Sequence, residues 1–162
     1  MDARTPCAEW NLGRLVQHQL YYSPILAASA RRTEPSVAGG EQDVPLDAWV
    51  DALDAAIADL AEGWSVPEAW SGLTSMIGSD PMPGEMIGGM VLGELVVHGW
   101  DLARAVGVEP QFSGGVLAGT LVGVTSMAEM GRGMGVFAPE VLIDAEAPLL
   151  DRIVASTGRD PS

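Results

Sequence analysis

Lysine is absent from this 162-residue chain, and cysteine, histidine and aromatic residues are scarce. All eight cationic side chains are arginine; with alanine and glycine abundant, this reads as the coding bias of a GC-rich genome rather than as a functional signal. Eight cations against 22 acidic residues leave a formal charge of −14. A surface of that sign repels phosphate backbones and anionic membranes, so nucleic acid is excluded as an expected partner. The single cysteine, Cys7, cannot close an intrachain disulfide, and no basic-then-apolar pattern marks the first residues. The cytoplasm is therefore the expected compartment. Aromatics make up only 6% of residues, which favours a helical class over a β-sandwich. Long apolar runs are missing too. The least charged stretch, Gly114 to Ala128, is fifteen residues, short of the ~20 needed to cross a bilayer. The other apolar stretch, Met86 to Val106, carries Glu94, His98, Asp101 and Arg104 within it. Both read as buried bundle helices, and no membrane association is expected.

What is present is helical periodicity. Asn11 is a good N-cap for a first helix running to about Arg32, in which Leu15, His18, Tyr22 and Ile25 share one face. Pro24 lies inside that pattern, where it frees the carbonyl of Leu20 and predicts a kink or a split. Thr33 to Pro45 is rich in Pro, Gly, Ser and acidic residues and reads as an exposed loop. A second helix is expected over Leu46 to Glu62, with Trp49, Leu53, Ile57 and Leu60 inward. Gly63 to Gly84 is irregular, with a short strand or turn near Leu73 to Ile77. A long third helix spans Gly84 to Val106, and a fourth Ser113 to Gly131. Glycines at Gly89/Gly93 and Gly115/Gly119/Gly123 lower helix propensity, which close backbone packing has to offset. The tail predicts an extended apolar piece, Val136 to Ile143, then a short helix begun by Pro148 and stopped by Gly158. The length suits one core, and the expectation is a single helical-bundle domain over 1–162.

The chemistry rests on the two histidines, His18 and His98, which fall on different helices. Glu94 precedes His98 by four residues, which puts both side chains on one helix face with a rise of about 6 Å between them. Glu94, His98 and Asp101 sit in an otherwise apolar stripe. Burying an unpaired carboxylate is costly, so this face meets either solvent or something that compensates the charge. Two imidazoles and one carboxylate suit a divalent metal with positions left open. The same residues also fit a surface i, i+4 pair beside a core histidine bonded to a carbonyl. Spacing does not separate these readings.

Two stretches sharpen the reading. One is Thr5-Pro6-Cys7-Ala8-Glu9-Trp10-Asn11 followed by His18, and the other runs from Glu94 through His98-Gly99-Trp100-Asp101 to Arg104 and Gly107. With the closing Leu149–Ile153 and Gly158–Pro161 segments, they resemble the mycothiol-dependent maleylpyruvate isomerase group of the DinB-like metal-binding proteins. The resemblance implies an all-α, DinB-like helical bundle holding zinc or a similar divalent ion, with His18, Glu94 and His98 as ligands. It gives Asp101 a place in the motif, either orienting His98 from one turn away or pairing with Arg104. Cys7 reads as structural rather than nucleophilic, because no base is evident beside it. Proteins of that group usually carry a further helix ahead of the Thr-Pro-Cys motif, which here begins at Thr5. The expectation is a truncated start, a partner chain in place of that helix, or a reorganised bundle, and the second makes a homodimer plausible.

The function that follows is a metal-dependent S-transferase or cis-trans isomerase, using mycothiol as thiol cosubstrate against a small electrophilic metabolite. Arg14 and Arg104 are both candidates to receive a substrate carboxylate, and the sequence does not choose between them. Two other roles fit the same bundle: a metal-containing protein that binds a small hydrophobic molecule without turnover, as in resistance, and a biosynthetic enzyme that has abandoned the thiol.

Overall fold

A computed structural model of the protein describes residues 1–8 and 10–162. Five helices carry the fold: α1 (Leu12–Arg31), α2 (Trp49–Trp64), α3 (Gly84–Val106), α4 (Gly114–Gly133) and α5 (Leu149–Ser156). The described sheet is a two-residue pairing of β1 (Leu73–Thr74) with β2 (Met82–Pro83), antiparallel with Leu73 opposite Pro83. The architecture is an all-α bundle. No described helix is long and apolar enough to cross a membrane.

Local signals account for most boundaries. The Asn11 side chain accepts the Arg14 N–H at 2.9 Å and starts α1. Pro24 does not split that helix, which runs unbroken to Arg31. The left-handed cap after it is Arg32, whose guanidinium donates to the carbonyls of Glu68, Ser71 and Leu73. Those three bonds hold a conformation that glycine would adopt at less cost. Helix α2 begins three residues later than the expected Leu46, because Ala48 also takes a left-handed conformation just before Trp49. Gly107, at φ +76, closes α3, and the N–H of Val108 reaches back to the carbonyl of Ala103. Ser113 caps α4 by accepting from the Val116 N–H.

Helix α1 packs on α2 and α3, α3 packs on α4, and α4 packs on α5. Leu26, Ala27, Ala30, Leu60, Trp64, Ile87 and Val91 form one buried cluster. Val96, Val97, Val124 and Ile153 form a second. Between α3 and α4 the expected close approach occurs at Gly89 and Gly123. A Cβ on Gly123 would lie 3.0 Å from the Gly89 Cα. The tail from Val136 to Ile143 takes no regular structure and is largely exposed, Leu142 almost completely so.

One sequence expectation needs correcting. The stretch from Thr33 to Pro45 is not wholly an exposed loop: it holds a short 3-10 turn, Glu41–Asp43, that docks on α1. Gln17 donates to the carbonyls of Gln42 and Val44, at 3.1 and 3.0 Å, and pins the turn there. Polar composition predicts solvation, but the side-chain amide of Gln17 on α1 satisfied two carbonyls of this backbone instead.

Candidate metal centre

His18 lies near the middle of α1 and Glu94 and His98 lie in α3, where these two helices pack together. Nε2 of His18 is 3.0 Å from Oε2 of Glu94, and Nε2 of His98 is 3.7 Å from the same oxygen. One donor atom from each of the three residues fits within a mutual separation of 4.8 Å. Donors spaced ~2.0–2.1 Å from a tetrahedral ion stand about 3.4 Å from one another, so the observed spread brackets that geometry. Gln19, also on α1, donates to the same Glu94 oxygen at 3.1 Å.

The far nitrogen of each imidazole is occupied. Nδ1 of His98 lies 2.9 Å from Oδ2 of Asp101, and Nδ1 of His18 lies 3.2 Å from Oε1 of Glu41. A carboxylate on Nδ1 favours a proton there, which would leave Nε2, the nitrogen facing Glu94, as the ligand atom once an ion is bound. Each carboxylate is in turn held by an arginine. Arg159 reaches both oxygens of Asp101, the shortest contact being 2.8 Å, and Arg14 lies 3.3 Å from Glu41. This arrangement fits a bound divalent cation. A core histidine satisfied by a carbonyl does not describe either ring.

Electrostatics follow from the same contacts. Burial alone would raise the Glu94 carboxyl. The hydrogen bond from His18, the charges of both imidazoles and the Gln19 amide outweigh it and hold Glu94 below the usual carboxylate range. Burial likewise pushes Asp101 up, but the bonds from His98 and Arg159 prevail and hold it down.

Trp10 forms the roof. Its ring stacks on His98 at 5.6 Å between centroids and tilts against His18 at 4.6 Å, and the Tyr22 ring also lies against His18 at 4.7 Å. The Thr-Pro-Cys stretch sets this up. The Thr5 hydroxyl bridges the carbonyls of Cys7 and Trp10, and the Trp10 N–H donates to the Cys7 carbonyl at 2.9 Å. Cys7 is half-buried in that turn; Glu9 of the same motif lies outside the described residues. Beside Trp10 opens a concavity of about 600 Å³ lined by Arg4, Thr5, Pro6, Ala8 and Asn11.

Of the residues singled out from sequence, His18, Glu94, His98 and Asp101 come together. Asp101 pairs with Arg159, not with Arg104, which instead donates to the Ser162 carbonyl at 3.0 Å. Arg14 sits at the site, with its guanidinium over the Trp10 ring. Its Nη1 is buried and has no hydrogen-bond partner among the described residues. Sequence reasoning missed Glu41 and Arg159. Glu41 lies in a segment whose composition signals only solvation. The Gly158-Arg159 pair after a helix stop carries no mark of where Arg159 turns.

The family model described as the mycothiol maleylpyruvate isomerase N-terminal domain matches residues 1–103. Two uncharacterized proteins of Mycobacterium tuberculosis, from strains CDC 1551 / Oshkosh and ATCC 25618 / H37Rv, are similar to the chain. Each is 26% identical over 157 residues, covering 96% of this chain and 82% of the relative. No solved structure matches the chain significantly.

Proposed function

Given that the chain belongs to the mycothiol maleylpyruvate isomerase N-terminal domain family, we propose that it is a metal-dependent enzyme of low-molecular-weight thiols. In this reading it joins the thiol to a small electrophile, or uses the thiol transiently to isomerise one. The carrying observation is the convergence of His18, Glu94 and His98, each imidazole backed by its own carboxylate. His18, Glu94 and His98 would hold the ion, and zinc suits a set of two nitrogens and one oxygen. A bound ion of this kind supplies acidification of a coordinated thiol and polarisation of a carbonyl.

The chain's own residues do the rest. Glu41 and Asp101 keep the two Nδ1 atoms protonated, so both Nε2 atoms remain free to ligate. Glu94 offsets part of the cation's charge. Trp10 packs on both imidazoles and Tyr22 on that of His18, and these rings limit the access of bulk water to them. Arg14 lies at this site, and its Nη1, without a hydrogen-bond partner among the described residues, suits an acidic group on thiol or electrophile.

The test has two parts. Wild type is expected to purify with about one equivalent of divalent metal, and His98→Ala to lose it. Stoichiometric metal retained in that variant overturns the assignment of ligands. Loaded protein is then mixed with mycothiol and a chlorinated nitroarene. Accelerated turnover should form one C–S bond, with one chloride and one proton released for each thiol consumed. Metal bound without thiol loss above buffer would leave a sequestering role, or a reaction without thiol, for the same centre.

A further inference from the structure

We infer that Glu41, carried by the loop between α1 and α2, is a positioning residue for the metal centre. It would fix His18 as Asp101 fixes His98. The inference rests on the metal reading above and adds a residue, and a segment of chain, that the helix motifs do not contain.

The two imidazoles are served by parallel chains of contacts. On one side Arg159 holds Asp101, and Asp101 holds Nδ1 of His98. On the other, Arg14 holds Glu41, and Glu41 holds Nδ1 of His18. In both, the carboxylate meets the nitrogen that faces away from Glu94. A neutral imidazole has one proton for two nitrogens, so an acceptor on Nδ1 decides that Nε2 presents the lone pair. Without that acceptor the proton is free to sit on Nε2, and the ring is free to turn.

The chains differ in how firmly they are built. Asp101 is completely buried and shares helix α3 with His98, so its placement comes with the helix. Glu41 comes from a different segment, and its side chain keeps 17% exposure. Its position depends on a clamp from α1. Arg14 takes the carboxylate, while Gln17 takes the carbonyls of Gln42 and Val44. Arg14, Gln17 and His18 lie within little more than one helical turn, so a single face of α1 both offers a ligand and holds the loop that orients it. A surface ion pair for stability alone would need Arg14 and Glu41 but not Nδ1 of His18.

Zinc affinity, measured by competition with a chelator, and the ¹⁵N resonances of the two histidines in zinc-loaded protein test this. Wild type is expected to show Nδ1–H on both rings. Glu41→Ala should shift the Nδ1–H resonance of His18, leave that of His98 in place, and bind zinc about 10-fold or more weaker, the usual consequence of removing such a partner. Glu41→Gln keeps an accepting oxygen and should recover most of the affinity. The inference is overturned if Glu41→Ala leaves the His18 Nδ1–H resonance in place with zinc affinity within about twofold of wild type. It is also overturned if Glu41→Gln is as weak as Glu41→Ala, because charge rather than hydrogen bonding would then be the cause. Wild type that binds no zinc overturns the metal reading itself, a result distinct from either of these.

Discussion

Asp101 has no solvent exposure and lies between His98 and Arg159, so two tasks meet in one side chain. It orients a ring on α3 and neutralises a guanidinium delivered from the C-terminal tail. Replacing it with Asn leaves the Arg159 charge buried without a counter-charge, expected to cost about 3 kcal/mol or more in urea denaturation. Its depressed pKa sets the sign of a pH effect. Because the folded value lies below the unfolded one, the contribution is fully present above the ordinary carboxylate range. It is lost as pH falls through the folded value. Wild type should therefore lose stability on acidification below about pH 5, and Asp101→Asn should show a flatter acid limb in the same titration. Arg14 illustrates the opposite case. It stood equal with Arg104 as a candidate in the sequence, since arginines one helix apart look alike until something places them. Contact with Trp10 and Glu41 now separates it from an arginine that meets the chain's last carbonyl.

Among the elements, the α3–α4 contact shows how glycines that weaken a helix can define a bundle. Gly123→Ala should destabilise the fold by about 1–3 kcal/mol despite the better helix propensity of alanine, because its Cβ meets the Gly89 backbone. Gly115→Ala, with no atom within 4 Å of the new methyl, should instead be neutral or stabilising by up to about 1 kcal/mol. Thermal unfolding of the two variants reads the opposite signs directly. The cap at Asn11 was legible because its side-chain chemistry starts a helix by itself, and the bounds expected near Gly107 and Ser113 fall where those residues turn out to cap α3 and α4. Where the Glu41 turn departed from expectation, the deciding group was distant in sequence. Gln17 stands 25 residues before the carbonyl it holds at Gln42. Gly158, at φ +87, does mark the end of α5, and the same bend starts Arg159 back toward α3.

Across the whole molecule, a formal charge of −14 sets ion pairs of mixed sign against general self-repulsion. Salt screens the long-range repulsion between exposed carboxylates more than the buried Asp101–Arg159 pair. Melting temperature is therefore expected to rise as sodium chloride increases from low ionic strength. A fall would mean that surface pairs such as Arg31–Asp59 dominate the balance. Helical class, the number and approximate span of the helices, and the pairing of Glu94 with His98 on one face all follow from the sequence by itself. They depend on residues within a turn or two of each other, where backbone geometry leaves few choices. The meeting of His18 with that pair, 76 residues away from Glu94, required the α1–α3 packing. The roof formed by Trp10 and the two carboxylate–arginine supports likewise needed segments far apart in sequence to meet. Those contacts were decided only in three dimensions, because burial and hydrogen-bond satisfaction are properties of the assembled bundle and not of any one segment.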